Sequence, residues 1–270
     1  MWPRGLRCSS WKRVGVNSPP WVRILPFPPV SKYSSTISLL QSKGRGAYYF
    51  LGAMISDGNL YKEKINTTKI SLSSKDKDWL DDINSVLLQG EGFPRTRKNG
   101  KQHELWMYNS EVYDWLVANQ CVENKSLIVQ MPSVPKEFLP DFVRGCLDGD
   151  GSISSSFYRK IKNNKEYHYW AHVAYLCSGS RSFLENLDKY LEEAGIEGSF
   201  CEVKKTPNAL KDGRVIVPKH PHYRITFGGT TTYNLLKWAY YPGHSISMKR
   251  KRTLAEKVIS FYEAARIKRY

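Results

Sequence analysis

The first 56 residues contain no acidic side chain, and the earliest acid in the chain is Asp57. Six prolines, with several serines and arginines, lie among residues 1–42. Proline removes a backbone donor and breaks helices and central strands, so this composition is not expected to give a packed helix or sheet. Residues 1–42 are predicted to be a disordered basic leader. An organelle presequence is the alternative, because such segments are rich in Arg and Ser and poor in acids.

Cysteines are few, and long apolar runs are absent. The five cysteines are scattered and form no CxxC pair, which argues against a disulfide framework and a zinc ribbon. No apolar run approaches the ~20 residues of a membrane helix. We therefore expect free thiols in a reducing compartment and no membrane partner. The expected location is intracellular, either a bacterial or archaeal cytoplasm, or an organelle matrix if the leader is a presequence.

Acids are also few relative to bases. Lys and Arg total 41 against 25 Asp and Glu, which gives a formal net charge of +16. An excess of this size favours a polyanionic partner, most commonly nucleic acid. The alternative is a basic but otherwise ordinary soluble protein.

What the chain does contain is an internal repeat. Residues 43–137 and 138–270 each follow the order αββαββα, so the predicted fold class is α+β with two pseudo-symmetric repeats. The predicted elements of the first repeat are helix 47–56, strands 59–64 and 67–73, a helix after Ser74, strands 93–98 and 103–108, and helix 112–117. Those of the second are helix 139–149, strands 152–160 and 168–177, a helix after Ser180, strands 200–206 and 223–227, and helices 233–238 and 249–268.

Local signals support these elements. Asn99-Gly100 and the segment 162–165 are polar turn sequences between strands. Ser74 and Ser180 are predicted N-caps. The helix after Ser74 is expected to bury the apolar stripe Trp79, Leu80, Ile83, Val86 and Leu87.

The two opening helices contain small residues that suit close packing. Gly52 and Gly145 lie five residues before Asp57 and Asp150, respectively. A glycine inside a helix costs about 1 kcal/mol relative to alanine. A repeat that accepts this cost twice is expected to bring the two helices into close contact through these glycines.

Asp57 and Asp150 each precede a glycine at the predicted end of an opening helix. Close packing of the helices would place the two carboxylates side by side at two negative helix ends. Such an arrangement favours a hard divalent cation with oxygen ligands, such as Mg²⁺. The alternative is that each Asp is a turn residue before a C-capping glycine. Two copies at matching places in a repeat favour the metal site.

The motifs of residues 50–58 (FLGAMISDG) and 143–151 (VRGCLDGDG) resemble those of the LAGLIDADG homing endonucleases. The flanking segments are also similar to that family, and the resemblance covers residues 43–270. They are Asn124-Lys125-Ser126 with Pro132 and Pro135, then Gly228-Gly229, residues 238–242 and residues 248–252. The resemblance implies a saddle with a central pair of LAGLIDADG helices and two antiparallel DNA-binding β-sheets.

The resemblance also implies a site. Asp57 and Asp150 would hold two or more divalent cations, helped by the carbonyls of Ser56 and Gly149. Mg²⁺ is the expected cofactor, and Mn²⁺ or Ca²⁺ could replace it for binding. Asp148 is expected to be a helix-end accessory, because the last acid of each motif is the functional one.

A basic residue is expected near each acid. Lys125 and either Lys249 or Lys251 stand at equivalent places after the two repeats and are predicted to be catalytic. A phosphate contact or a solvated helix face is the alternative for Lys249 and Lys251. Lys75, which follows the first strand pair, is a weaker candidate for DNA contact.

Recognition of DNA is predicted to fall to the strands, where alternate side chains share a face. Each candidate could contact a base edge, a phosphate or only water. The candidates are Lys62 and Lys64, Arg95 and Arg97, Lys204 and Thr206, and His222, Arg224 and Thr226.

These features together predict a monomeric, site-specific endonuclease that makes a staggered double-strand break in DNA, with intron homing as the setting that the resemblance implies. The alternatives are an RNA-splicing maturase that binds its own intron RNA, and a non-cleaving DNA-binding protein of the same fold. The presence of both terminal acids argues against the last of these.

Overall fold

The computed structural model describes residues 32–62, 68–98, 100–203, 208–209, 215–216 and 219–267. Apart from Lys32, these residues belong to one compact unit, Tyr33–Tyr270. Among the residues described, no helix is long and apolar enough to cross a membrane.

Eight α-helices and ten strands alternate along the described chain. The helices are α1 (Ser34–Ser42), α2 (Arg45–Asp57), α3 (Lys77–Asp82), α4 (Ser110–Ala118), α5 (Leu139–Asp148), α6 (Arg181–Glu193), α7 (Thr230–Ala239) and α8 (Lys249–Ile267). The strands are β1 (Gly58–Lys62), β2 (Thr68–Ser74), β3 (Phe93–Thr96), β4 (His103–Met107), β5 (Ser152–Lys162), β6 (Lys165–Ser178), β7 (Ser199–Val203), β8 (Asn208–Ala209), β9 (Val215–Ile216) and β10 (His222–Gly228).

The two main sheets have the same topology, which confirms the predicted repeat. Strands are ordered β1-β2-β4-β3 in the first sheet and β5-β6-β10-β7 in the second, and all neighbours are antiparallel. Helices α2, α3 and α4 pack against β2, while α5 and α6 pack against β6. Each sheet therefore has one face covered by helices and one outer face without them.

The second repeat contains more strand structure than predicted. Strands β5 and β6 form a long hairpin, and its turn residues Asn163 and Asn164 both have positive φ, as the polar turn sequence suggested. Asn99, in the corresponding turn sequence of the first repeat, lies outside the described residues. A small extra hairpin, β8–β9, lies between β7 and β10 and was not predicted. Its strands are only two residues long, too short for a hydrophobic alternation to be visible.

Helices α2 and α5 pack closely through their glycines, as predicted. A Cβ added to Gly52 would lie 2.2 Å from the carbonyl oxygen of Phe142, and one added to Gly145 would lie 2.3 Å from that of Tyr49. These separations are far below van der Waals contact, so the backbones can approach this closely only where a side chain is missing.

Gly58 directly follows the last residue of α2, as predicted, but it does not adopt the left-handed conformation that is common for glycine at a helix C-terminus. Its φ of −77° and ψ of 155° are extended, and it begins β1 directly. The glycine is required for space instead, since a Cβ would lie 2.4 Å from the carbonyl oxygen of Met54. Gly151 repeats this arrangement, with a Cβ 2.6 Å from the carbonyl oxygen of Leu147.

The prediction that residues 1–42 contain no packed helix is wrong for Ser34–Ser42, which forms α1. Leu40 and Thr36 are buried there. The carboxylate of Glu91 accepts hydrogen bonds from the backbone N–H groups of Ser35 and Thr36 and from the Thr36 hydroxyl, at 2.7–2.9 Å. A partner 55 residues away thus caps the helix, which local composition could not reveal. Residues 1–31 lie outside the described range.

The helix after Ser180 begins as predicted, whereas the helix after Ser74 differs from prediction in two details. Ser180 caps α6 and accepts a hydrogen bond from the backbone N–H of Phe183. Ser74, however, accepts from the N–H of Asp76, and Asp76 is the residue at the N-cap of α3. Helix α3 continues as a π-helical turn over Ile83–Leu87, and this change of period leaves Val86 exposed.

Candidate active site

The ends of the two motif helices meet beneath the close contact of α2 and α5. Asp57 is the last residue of α2, and Asp150 lies two residues beyond the end of α5. A Cβ added to Gly149 would lie 2.4 Å from Cβ of Ser56 and 3.5 Å from Oδ2 of Asp57. The structure therefore brings the predicted residues Ser56, Asp57, Gly149 and Asp150 together.

Both carboxyls have perturbed pKa values. Burial, together with repulsion from Asp150, raises the pKa of Asp57 to about 6 against the attraction of Lys251 and Lys125. Displacement of water by surrounding protein raises the pKa of Asp150 against the same two lysines, although part of the residue remains open to solvent. Two neighbouring carboxyls whose pKa values are raised mainly by burial are typical of a functional site.

Lys125 and Lys251 lie at equivalent places on the two motifs. The Lys125 ammonium donates to the carbonyl of Ser56 at 3.3 Å and to that of Gly58. The Lys251 ammonium donates to the matching carbonyls of Gly149 and Gly151, both at 2.8 Å. Both side chains are buried. Each motif end thus carries an acid and a lysine in the same relation, as an approximate twofold relation between the repeats requires.

The sequence left Lys249 and Lys251 as alternatives, and the structure places Lys251 at the site. Lys251 also donates to the carbonyls of Leu147 and Asp148, so four oxygens surround its ammonium. Lys249 is exposed and lines a cavity of about 700 Å³ with Lys75 and Arg250. Lys249 and Lys75 are therefore placed beside the site rather than against the motif carbonyls.

Asp148 is an anchor, in keeping with its predicted accessory place. It is completely buried and accepts hydrogen bonds from the hydroxyls of Tyr49 and Tyr240 and from the backbone N–H of Met248, at 2.7–2.9 Å. These bonds tie the end of α5 to α2 and to the segment that leads into α8. Because α8 begins at Lys249, Asp148 helps to position Lys251.

Arg144 is a second anchor, and it was not predicted from the sequence. It is fully buried, pairs with Asp141 at 2.7 Å, and donates to the carbonyls of Ala239 and Ile246. It thereby fixes the loop between α7 and α8. An arginine within an apolar helix motif was the available signal, because buried charges are rare unless they are paired.

The first sheet carries only part of its predicted DNA-binding set on the outer face. Arg95 lies on the outer face, where it pairs in register with Glu104. Phe93, two residues earlier on the same face of β3, pairs with Trp106. Arg97 lies just beyond β3 and binds the carboxylate of Glu104. Lys62 shares the helix-covered side with Leu60, and its ammonium lies 5.6 Å from the ring centroid of Tyr113.

The placement of Lys62 corrects the prediction, which had the strand alternation out of phase. Leu60 is buried and Asn59 and Tyr61 are exposed, so the outer face of β1 belongs to odd-numbered residues. Lys64 lies outside the described residues.

The second sheet matches its prediction better. His222, Arg224 and Thr226 alternate with the buried Ile225 and Phe227, and they occupy the outer face. The Arg224 guanidinium lies 5.3 Å from the ring centroid of Tyr175. Among the described residues, Nε of Arg224 and Oγ1 of Thr226 are buried and have no hydrogen-bond partner. Lys204 and Thr206 lie outside the described residues.

The donor set at the motif ends suits a hard divalent cation. Within the described ranges, no three His, Cys, Asp or Glu side chains converge as a metal cluster. A cation here would depend on the carboxylates of Asp57 and Asp150 with backbone carbonyl oxygens, as Mg²⁺ and Ca²⁺ accept. Burial raises the pKa values of both acids even though Lys125 and Lys251 oppose the rise, and a bound divalent cation would favour their charged forms.

The chain is similar to known proteins in its structure. Neither a protein-family model nor a curated protein matches the chain. The LAGLIDADG meganuclease I-AabMI, bound to uncleaved DNA, is similar at a TM-score of 0.53 and 12% identity, covering 81% of this chain and 91% of that one. I-DmoI in complex with DNA and Ca has a TM-score of 0.50 and 15% identity, covering 80% and 98%.

The meganuclease I-SmaMI bound to uncleaveable DNA gives a TM-score of 0.50 at 11% identity, covering 81% of this chain and 92% of that one. These identities are low, so the likeness concerns the fold. The shared strand order of the two sheets and the close pair of motif helices agree with it. The chain therefore has the two-repeat α+β fold of the LAGLIDADG homing endonucleases.

Proposed function

We propose that this protein is a site-specific DNA endonuclease that makes a staggered double-strand break by metal-dependent hydrolysis of phosphodiester bonds. The observation that carries the proposal is the pair of equivalent motif ends, each with one carboxylate and one buried lysine. Two matched sites suit two strands, with one strand cut at each. Structures of the same fold contain DNA, and one of them contains Ca.

Asp57 and Asp150, with the carbonyls of Ser56 and Gly149, would hold the cations. Divalent ions bound there would stabilise charge at phosphorus and promote ionisation of the attacking water. Mg²⁺ is the proposed ion, with two or more bound, and Mn²⁺ or Ca²⁺ is proposed to support binding in its place. The lysines would keep the carbonyls of each motif end fixed and place positive charge near the scissile phosphate.

The outer faces of the two sheets would hold the DNA. Arg95 on the first sheet and His222, Arg224 and Thr226 on the second lie on these faces. Because both motif helices and both sheets come from one chain, a second copy is not needed to complete the site, and we propose a monomer. Intron homing, binding of the chain's own intron RNA and an intracellular location remain predictions.

The acids provide the test. Asp57→Asn and Asp150→Asn are each expected to lower the rate of double-strand cleavage by at least about a thousand-fold. Each change would remove a charged metal ligand and with it the stabilisation of the transition state by the cation. Specific binding in Ca²⁺ should fall far less. The target is first obtained by cutting a randomised DNA library in Mg²⁺ and sequencing the ends, and cleavage and affinity are then measured on that target.

Asp114→Asn is the matched control, because Asp114 is an exposed acid on α4. It should cleave like the natural chain. Full cleavage by the double variant Asp57→Asn, Asp150→Asn would refute the mechanism. Failure of the natural chain to cut any library sequence in Mg²⁺ or Mn²⁺, despite specific binding, would instead favour a non-cleaving DNA-binding protein.

A further inference from the structure

An aromatic side chain stands between two cations on the outer face of the first sheet. The ammonium of Lys69 lies 3.3 Å from the ring centroid of Trp106, and the guanidinium carbon of Arg95 lies 4.0 Å from it. Lys69 is on β2 and Arg95 on β3, the strands on either side of β4, which carries Trp106. We call these three residues the cation platform.

Hydrogen bonds to Glu104, a neighbour on β4, hold Trp106 of the platform in place. The indole N–H of Trp106 donates to the carboxylate of Glu104 at 2.9 Å, and Arg97 donates to the same carboxylate at 2.7 Å. Glu104 is buried, so its two partners fix it and it in turn fixes the indole. The ring orientation is therefore set before any ligand arrives.

The two cations keep their donors free. Within the described part of the chain, neither Lys69 nor Arg95 donates a hydrogen bond to a protein acceptor. A guanidinium stacked on an aromatic face still presents its N–H groups along its edge. The ring thus restricts both side chains while leaving N–H groups on each available for a ligand.

The second sheet has different chemistry at the same places. Counting strand register from Gly58 and Gly151 aligns Ser71 with Tyr175. By the same register, the counterparts of Lys69, Trp106, Arg95 and Glu104 are Val173, Thr226, Cys201 and Arg224. The platform therefore belongs to one repeat alone and would act on only one half of a target.

We propose that the cation platform is a specificity-determining site for guanine, in the half of the DNA target that the first sheet contacts. Guanine offers two acceptors, O6 and N7, in the major groove, and Arg and Lys are the side chains that match them best. Lys69 and Arg95 lie on opposite neighbouring strands, so they would contact different base pairs. This inference rests on the proposed DNA-binding function.

The experiment is selection of bound sequences from a randomised double-stranded DNA library in Ca²⁺. The natural chain is expected to enrich guanine at two positions in one half of the site. Arg95→Gln should lose the preference at one position and Lys69→Gln at the other, each by about ten-fold. Trp106→Leu should weaken both, whereas Trp106→Phe, which keeps a ring, should retain a larger part of both preferences.

Two further variants locate the effect. Lys257→Gln removes the same charge from a lysine on α8, whose ammonium lies 4.9 Å from the ring centroid of Trp170 on β6. This control should leave the guanine preferences unchanged. Arg224→Gln should change only the opposite half of the site. If Trp106→Leu fails to fold, Arg95→Gln and Lys69→Gln decide the matter, because both replace side chains on the outer face.

The outcomes separate this inference from the proposed function. Specific binding without guanine in either half, or guanine preferences that persist in Arg95→Gln and Lys69→Gln, would overturn the platform and leave the endonuclease proposal intact. Absence of any specific DNA binding by the natural chain would overturn both.

Discussion

Lys125 and Lys251 share a place in the two repeats but differ in how firmly they are held. Lys125 has two carbonyl partners, whereas Lys251 has four. Burial lowers the pKa of Lys251, and the nearby Asp148 opposes this effect. An ammonium group at a helix C-terminus also neutralises the negative end of the helix dipole. Lys251 is therefore a structural residue of the second motif as well as part of the candidate site.

Lys251→Met should lower the free energy of unfolding by about 3 kcal/mol, because four buried or partly buried carbonyls and the nearby acids would lose their cation. Lys249→Met, two positions away and exposed, should change it by less than about 0.5 kcal/mol. Urea denaturation of the two variants measures both values. Equal stability of the two variants would show that the carbonyl contacts of Lys251 contribute nothing to folding.

At the scale of elements, the helix pair α2–α5 and helix α1 show two ways in which distant segments fix each other. The pair depends on missing side chains at Gly52 and Gly145, which admit carbonyls of the partner helix. Helix α1 depends on one carboxylate, that of Glu91, which accepts three hydrogen bonds at its N-terminus. The first device is steric, and the second is electrostatic and sensitive to pH.

Gly52→Ala should destabilise the protein by about 3 kcal/mol or more, since the new methyl group would meet the carbonyl of Phe142 and force the helices apart. The gain in helix propensity, about 1 kcal/mol, offsets only part of this cost. Gly228→Ala is the control, because a Cβ there meets no atom within 4 Å. Chemical denaturation should rank the variants in this order. A Gly52→Ala protein as stable as the Gly228→Ala protein would contradict the close packing.

Glu91→Gln should lower stability at pH 7 by about 1 kcal/mol, the usual size of a lost N-cap. Burial raises the pKa of Glu91, but hydrogen bonds from Thr36 and Ser35 outweigh it and leave the pKa below its usual value. The carboxylate therefore stabilises the fold above its unfolded pKa of about 4.3, and this contribution is lost as pH falls through the folded pKa.

The difference in unfolding free energy between the natural chain and Glu91→Gln should accordingly shrink below about pH 4. Glu197→Gln, at an exposed glutamate, should show no such pH-dependent difference. Denaturation curves at several pH values provide the measurement. A difference that stays constant down to about pH 3, below the unfolded pKa, would mean that the charge of Glu91 does not hold α1.

At the scale of the whole molecule, two sheets of equal strand order present unequal outer faces. The first has the cation platform, and the second has Arg224 beside Tyr175 and a longer hairpin. The formal net charge of the whole chain is +16. The fold is common to both repeats, whereas discrimination between sequences would come from the residues in which the repeats differ.

DNA binding should weaken steeply with salt, because contacts with phosphates release condensed counterions. With about 6–10 such contacts, affinity would fall by about a thousand-fold or more between roughly 50 and 200 mM salt. Fluorescence anisotropy with labelled duplex measures the slope. A nearly flat response would count against any extensive contact with the DNA backbone.

Sequence alone determined the repeat, the order of its elements and the pairing of Asp57 with Asp150. These follow from short-range patterns: alternation in strands, small residues in the opening helices, and an Asp-Gly step that recurs at matching places. Gly52 and Gly145 were informative because a glycine within a helix is unfavourable unless packing requires it.

Tertiary structure decided what depends on partners distant in the chain. Glu91 caps α1, which lies in a segment expected to be disordered. Lys251, and not Lys249, donates hydrogen bonds to four carbonyls at the second motif. The pairing register of β1 places Lys62 on the helix-covered side of its sheet. The cation platform likewise joins three strands, and each of its residues is ordinary in its own segment. Local sequence determined most of the elements, with α1 and the β8–β9 hairpin as exceptions. Contacts between distant segments determine which side chains lie together at the candidate site.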